Sequence, residues 1–155
     1  NAYWGGNTIT LNNNLFGIGS DNTTGANGVA YIAFLFAQVE GFSKFQYYTG
    51  NANNDGPYNY CGFAPAFLII KISIGHTESW HLWDNKRSVV EGNPNQAALS
   101  PNTTGNDVGG STPYNIDFLS NGFKIREDHD LSNGSGDTYV WWAFAEAPAK
   151  YSNAK

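Results

Sequence analysis

The chain has 155 residues, of which 41% are hydrophobic, 15% aromatic and only 14% charged. Its net charge of −5 and the absence of any Lys/Arg cluster argue against a nucleic-acid partner and against binding to anionic membranes, because both need a basic surface. The length is enough for one domain with its own core, and a charged fraction well below the usual value of about 25% is typical of a loop-rich β-protein.

Cys61 is the only cysteine, so an internal disulfide is excluded and assembly in a reducing cytoplasm is compatible with the sequence. Apolar runs stay at strand length, below the roughly 18–20 residues needed to span a bilayer, and no signal-peptide pattern is present. The sequence contains no Met. We therefore expect it to be a segment of a longer chain.

The first predicted elements lie between residues 8 and 39. Residues 8–18 alternate apolar and polar side chains around three consecutive asparagines, which predicts a half-buried strand with a bulge or tight bend. Residues 19–28 form a turn-rich loop. Residues 29–39 are apolar on both faces, and this pattern predicts a central strand covered on two sides, as in a sandwich.

In the middle of the chain the sequence pattern predicts four extended segments, separated by Asn-, Gly- and Pro-rich turns. These segments are residues 41–48, 58–63, 66–74 and 80–84. Lys71 lies inside the third segment, where we expect it to extend its amine to an edge or to pair with a carboxylate. Residues 85–114 are the longest irregular stretch, and loops of more than about 12–15 residues usually carry function or are held by a partner.

The end of the chain repeats its beginning. Three apolar residues recur at a separation of 107 and three more at a separation of 108: Ile9/Ile116, Phe16/Phe123 and Ile18/Ile125, then Tyr31/Tyr139, Phe36/Phe144 and Ala37/Ala145. We predict two copies of one strand–loop–strand unit, residues 8–38 and 115–146, within a single domain over residues 1–155. No segment shows helical periodicity, so the predicted fold is an all-β antiparallel sandwich, jelly-roll or lectin-like.

Several motifs resemble one family. They stand in the order Tyr48-Thr-Gly-Asn51, Asp55-Gly-Pro57, Gly62-Phe63, Pro65-Ala66, Lys71, Trp80, Asp84, Arg87, Asp117-Phe-Leu-Ser-Asn-Gly-Phe-Lys124 and Ala143-Phe-Ala-Glu-Ala-Pro148. Over residues 28–155 the chain resembles an uncharacterised domain family of tail-fibre-like and other virion surface proteins of tailed phages, in which the domain often accompanies lectin-like modules. The resemblance implies a virion structural protein at the particle surface, assembled in the host cytoplasm. It supplies no catalytic residue.

Aromatic rings beside amides and carboxylates are the elements of a sugar site, because the ring covers the apolar face of the sugar and the polar groups bind its hydroxyls. The candidate glycan-binding residues are Trp80, Trp83, Tyr47, Tyr58, Asp84 and Trp141. A place in the core is the competing interpretation, and it is favoured about two to one for Trp83, Tyr47 and Tyr58, which lie beside turn residues. For Trp142 and Phe144 the two-faced strand pattern favours the core more strongly.

An acidic loop, residues 127–137, supplies a weak candidate for a metal. Asp128 and Asp130 occupy the first two ligand positions of an EF-hand-like loop, but Asn133 replaces its glycine and Tyr139 its final glutamate. A turn between strands is therefore the favoured interpretation, and we expect no cofactor and no bound metal.

The three histidines are scattered and no nucleophile–base order is evident, so we expect no enzymatic activity. The leading hypothesis is a tail-fibre or surface-adhesion module that presents loops to a host-surface glycan. The first alternative is an architectural capsid-decoration or fibre-shaft protein whose apolar surfaces contact other virion proteins and copies of itself, with a homotrimer favoured. A polysaccharide-degrading enzyme is the weaker alternative.

Overall fold

The structure, a computed structural model, describes residues 10–11, 16–17, 25–88, 92–105 and 113–146. The backbone divides into two compact units, residues 1–36 and residues 37–155. Every regular element in the described ranges is a β-strand, which confirms the all-β prediction. Among these residues there is accordingly no helix that could cross a membrane.

Nine strands are described. They are β1 (Thr10–Leu11), β2 (Phe16–Gly17), β3 (Ser43–Thr49), β4 (Tyr58–Tyr60), β5 (Pro65–Ile74), β6 (His81–Asp84), β7 (Ile116–Leu119), β8 (Gly122–Ile125) and β9 (Thr138–Ala145). The extended segments predicted in the middle of the chain correspond to β3 through β6. Lys71, in β5, donates its amine to the backbone carbonyl of Glu78 at 2.6 Å, so it reaches a carbonyl rather than a carboxylate.

A four-stranded antiparallel sheet dominates the second unit, with the strand order β3-β9-β5-β6. Side chains along these strands alternate between the two faces of the sheet, as the pleat requires. One face is buried and includes Leu68, Ile70, Trp83, Tyr139 and Trp141. We call it the inner face, and the opposite side the outer face.

A second antiparallel sheet has the strand order β4-β8-β7 and shares its core with the inner face. Phe123 of β8 is fully buried and packs edge-on against Trp141, with ring centroids 5.1 Å apart. It also contacts the ring of Tyr48 from β3, at 6.5 Å. Two antiparallel sheets around one core are the predicted arrangement at its coarse level.

The long loop between β6 and β7 is anchored in this same core. Leu82 and Leu99 form a β-bridge, and Asn95 forms another with Ile116. Ala97 and Ala98 are buried. The described parts of the loop, residues 85–88, 92–105 and 113–114, therefore owe much of their position to contacts within the domain.

In the first unit the only described strands are β1 and β2, which pair antiparallel with Thr10 opposite Gly17 and Leu11 opposite Phe16. Ile9, Ile18 and the Asn12–Asn14 bend of the predicted repeat lie outside the described residues.

The central strand predicted over residues 29–39 is absent, because residues 25–38 adopt no strand and Val39 makes only an isolated bridge to Ser43. The prediction was wrong for a physical reason. In the four-stranded sheet the two interior places are occupied by β9 and β5, and an apolar sequence becomes a strand only where neighbouring strands can pair with its backbone.

Candidate functional site

The outer face of the four-stranded sheet carries an apolar row of side chains, although it is not part of the core. One row of directly paired residues crosses all four strands, from Phe45 through Trp142 and Ile69 to Leu82. Each of these side chains is half-buried. A sheet face that meets only water usually carries polar side chains, so this composition marks the outer face as a candidate contact surface.

Further aromatic residues extend the row on both sides. Phe144 of β9 contacts Phe67 of β5 edge-on, with ring centroids 5.9 Å apart, and Phe45 at 5.7 Å. Trp80 lies against Trp142 with centroids 5.1 Å apart. The outer face is therefore an aromatic platform built by alternate residues of neighbouring strands.

Three of the six predicted glycan-binding residues lie on this platform or at its margin. Tyr47 projects from β3 with 69% of its surface exposed, and Trp80 stands over Trp142. Asp84 ends β6 on the same face as Leu82. The side chain of Asp84 is already engaged, because Oδ1 accepts the backbone N–H groups of residues 86 and 87 and Oδ2 pairs with Arg87 Nε at 2.5 Å.

The other three predicted residues lie elsewhere. Trp83 is fully buried and donates its ring N–H to the carbonyl of Tyr114 at 3.0 Å. Trp141 is also in the core. Tyr58 is exposed on β4 of the other sheet, where its hydroxyl donates to Asn121 Oδ1 at 2.8 Å. Neither buried tryptophan offers a ring face at the surface, because both point to the inner side of their strands.

A polar cleft of about 440 Å³ opens beyond the end of β6. Among the described residues its lining comes from Asn85, Lys86, Ser88, Gly92, Asn93, Asn95 and Phe118, which include amide, hydroxyl and amine groups and an aromatic ring. The volume lies within the range of roughly 300–1,000 Å³ typical of small-ligand sites. Six of these seven described residues lie between positions 85 and 95, a stretch that has no counterpart in the repeat.

Two of the cleft amides hold its wall in shape. Asn93 exchanges two hydrogen bonds with the backbone of Phe118, each at 2.8 Å. Asn95 donates to the carbonyl of Asp84 at 2.6 Å and accepts from the N–H of Ala97 at 3.1 Å. The exposed side chain of Asn85 bonds Glu146 Oε2 at 3.0 Å through its amide nitrogen. The amides of Asn93 and Asn95 are thus held by backbone groups, whereas that of Asn85 bonds a side chain.

One of the two weak metal candidates lies in a small cluster. His76 Nδ1 is 2.7 Å from Asp137 Oδ2, and His76 Nε2 is 3.7 Å from Asp130 Oδ2. The ligand atoms of these residues all lie within 4.8 Å of one another. The hydrogen bond to Asp137, together with the nearby negative charge of Asp130, raises the pKa of His76, so the cluster favours a protonated His76 that joins two carboxylates. Asp128 is not part of it.

The acidic loop also contains a buried polar network that the sequence analysis missed. Glu127 is 1% exposed, and its carboxyl group bonds the Ser132 hydroxyl and the backbone N–H of His129. Asn133 is fully buried and donates to the carbonyls of Glu127 and Asn53. No local pattern could have found it, because Asn51, which also accepts from Asn133, lies 82 residues away.

A Ser–His contact occurs on the inner side of β6. The hydroxyl of Ser100 lies 3.2 Å from Nδ1 of His81, and His81 packs against the rings of Trp83 and Tyr114. Burial lowers the pKa of His81 to about 4, so the ring is neutral at physiological pH. Its Nε2 is buried and has no hydrogen-bond partner among the described residues. The contact therefore packs the loop against β6.

The chain was compared with protein families, curated proteins and solved structures. A family model described as "Domain of unknown function (DUF7483)" matches residues 1–148. No curated protein and no solved structure matches.

Proposed function

The chain belongs to the DUF7483 family, and from this premise we propose that it is a non-catalytic surface module of a tailed-phage virion that binds a host-surface glycan. The cleft carries the proposal, because Asn85, Lys86 and Phe118 line one space. The Lys86 amine and the Asn85 amide nitrogen both bond Glu146, so a sugar would exchange these bonds for its own hydroxyls. Amides and amines bind sugar hydroxyls, and a ring covers the apolar face of a sugar. The motifs that resemble virion surface proteins support the location on a particle.

A glycan array with the full chain, followed by calorimetry on any ligand found, tests this proposal. Asn85→Ala removes an exposed amide from the cleft, and we expect at least a tenfold loss of affinity, since about 1.4 kcal/mol corresponds to a factor of ten. Asn54→Ala is the matched control, because Asn54 is also exposed but lies in the 51–56 turn, away from the cleft. The control variant should bind like the unmodified chain.

Two results would contradict the glycan proposal. One is the absence of binding to any glycan from the host surface. The other is an equal loss of affinity in both variants, which would place the ligand outside the cleft. Adsorption of particles to host cells, measured with and without the free chain as competitor, connects the binding result to infection.

A second candidate function, an architectural role, is favoured by the outer face. In this alternative the row from Phe45 to Leu82 is an interface with another copy of the chain, as in a fibre shaft or a capsid decoration. Ile69→Lys places a charge in the middle of the row and should reduce self-association in analytical ultracentrifugation. Gln46→Lys adds the same charge at an exposed position of β3 and serves as the control. Equal sedimentation of both variants and the unmodified chain would exclude this interface.

The finer features of the fold belong to the same proposal. The two sheets are assigned to a lectin-like or jelly-roll sandwich, and residues 8–38 and 115–146 to two copies of one unit. The pairing of β1 with β2 and of β7 with β8 supports the second assignment, because both are antiparallel hairpins at corresponding places in the two segments. A homotrimer on the virion surface, assembled in the host cytoplasm, completes the proposal.

A further inference from the structure

Residues 30–37 combine a strongly apolar sequence with high exposure. Ile32 is 84% exposed, Phe34 79% and Leu35 73%. None of these residues belongs to a strand. A sequence of this kind at the surface requires an explanation, because soluble domains rarely expose consecutive large apolar side chains.

The same segment matches β9 in sequence. Tyr31, Phe36 and Ala37 correspond to Tyr139, Phe144 and Ala145 at a separation of 108. With this alignment, Ile32 and Phe34 take the places of two outer-face residues: Ile32 corresponds to Val140, and Phe34 to Trp142. The segment therefore carries apolar residues on both faces, as β9 does.

The preceding hairpins agree in register as well as in sequence. In the first unit Thr10 pairs with Gly17, and in the second Asp117 pairs with Lys124. Both members of the second pair follow from the first by adding 107 (10 + 107 = 117 and 17 + 107 = 124). A register that shifts by one residue moves every side chain to the other face, so this agreement is a specific match.

β9 shows the environment that such a strand needs. It is an interior strand of its sheet and pairs along most of its length with β3 on one side and β5 on the other. Its backbone groups thus have partners on both sides. A strand with the sequence of residues 30–37 needs two equivalent neighbours before its apolar faces can be buried.

We propose that β1, β2 and residues 30–37 are the last three strands of another copy of this fold, and that the earlier strands of that copy precede them in the polypeptide. β1 and β2 supply the equivalents of β7 and β8, and residues 30–37 the equivalent of β9. The earlier part of that copy supplies the equivalents of β3 through β6 and receives residues 30–37 between its β3 and β5. The chain would then be part of a tandem array with a repeat of about 107 residues.

A tight turn precedes β3. Val39 and Ser43 form a β-bridge across it, and Gly41 in that turn has a φ of 73°. The Ser43 hydroxyl also donates to the carbonyl of Ala37 at 2.9 Å. In the proposed array the last strand of one copy is followed by this turn and then by β3 of the next copy.

Hydrogen exchange on an extended chain tests the proposal. A second copy of residues 38–107 is joined in front of Asn1, so that the spacing of 107 is kept and all strands of the first fold are present in order. We expect the amides of residues 31–37 to exchange at least about a hundredfold more slowly in the extended chain than in the unextended one. The control carries an appended segment of identical composition and shuffled order, which should give no protection.

A second variant tests whether protection depends on the core side chains in which residues 30–37 differ from β9. Ala33 corresponds to Trp141 and Leu35 to Ala143, so the borrowed strands of the extended chain would meet a smaller residue at position 33. Ala33→Trp with Leu35→Ala restores the β9 side chains, and protection in this variant should equal or exceed that in the first. Two results would overturn the proposal. One is fast exchange of residues 31–37 both in the chain with the appended copy and in its Ala33→Trp, Leu35→Ala variant. The other is protection that is already present without the appended copy.

Discussion

Replacement of Glu127 by Gln should change how the stability of this protein depends on pH. Glu127 is almost completely buried, and desolvation raises its pKa from 4.5 to about 7 against the opposing effect of its hydrogen bonds with Ser132 and His129. Gln has the same size and can keep both contacts, because its oxygen accepts from the His129 N–H and its nitrogen donates to the Ser132 hydroxyl. Gln does not titrate.

The magnitude follows from proton linkage. Between pH 4.5 and about pH 7 the folded state keeps the Glu127 proton, whereas the unfolded state has released it. Stability is therefore greatest at low pH and falls by about 1.4 kcal/mol for each pH unit across this window, a total of about 3 kcal/mol. Burial of neutral His81 has the opposite sign, because its pKa falls from 6.5 to about 4 and its contribution is lost as the solution becomes more acidic. The two effects oppose each other in the unmodified chain.

The difference between the two proteins isolates the contribution of Glu127. Urea unfolding of the unmodified chain and of Glu127→Gln, followed by tryptophan fluorescence from about pH 4.5 to about pH 8.5 at fixed ionic strength, gives both stability curves. The free energy of unfolding of the variant minus that of the unmodified chain should increase by about 3 kcal/mol as the pH rises to about 7, and should then stay constant. A difference that is constant or falls with pH would refute the reasoning. Ser132→Ala removes a bond that lowers the pKa of Glu127, so it should extend the window to higher pH.

Three further changes are predicted from the same structure. Phe123→Ala should lower the free energy of unfolding by about 3–5 kcal/mol in urea unfolding, because the ring fills the space between the sheets, and a loss below about 1 kcal/mol would contradict the proposed core. Gly75→Ala should lower the free energy of unfolding by at least about 1 kcal/mol in the same measurement, since Gly75 has a φ of 124° and an added Cβ would lie 1.9 Å from an oxygen of Asp137. Gly105→Ala is the control and should be nearly neutral, because its added Cβ would lie 3.7 Å from the nearest atom, the Thr103 hydroxyl oxygen. In the unmodified chain, protonated His76 stabilises the fold below the ordinary pKa of histidine, and this stabilisation is lost as the pH rises through the raised pKa of His76. His76→Gln should abolish it. Thermal melts of both proteins across that range should therefore give melting temperatures that converge with increasing pH.

Local pattern was sufficient for most strands of the second unit. The extended segments predicted at residues 66–74 and 80–84 correspond to β5 and β6. These predictions succeeded because a strand that lies over a core carries the two-residue period in its own sequence. Residues 29–39 carry an equally strong pattern and form no strand. The hydrophobic pattern shows which side chains a segment could bury, but neighbouring strands decide whether the segment forms a strand and buries them.

The candidate site was less accessible to sequence reasoning. Six aromatic and acidic residues were chosen for their chemistry, and burial separated them: Trp83 and Trp141 point into the core, while Tyr47 is exposed on the outer face. The choice between the two faces of a strand depends on which side the second sheet covers. The cleft lies largely within the long loop of residues 85–114, which the sequence marked as unusual, but the contribution of Phe118 was not predicted because it is distant in the chain.

The sequence by itself determined the all-β class, the approximate positions of the strands between residues 41 and 84, and the spacing of 107–108 residues between the similar segments. These properties are local, or they compare one stretch of sequence with another. The tertiary structure decided the strand order β3-β9-β5-β6, the burial of Glu127 and Asn133, and the division between inner and outer faces. Each of these depends on contacts between residues far apart in the chain. Such contacts form only when the surface that they bury compensates for the entropy lost in closing the intervening loop.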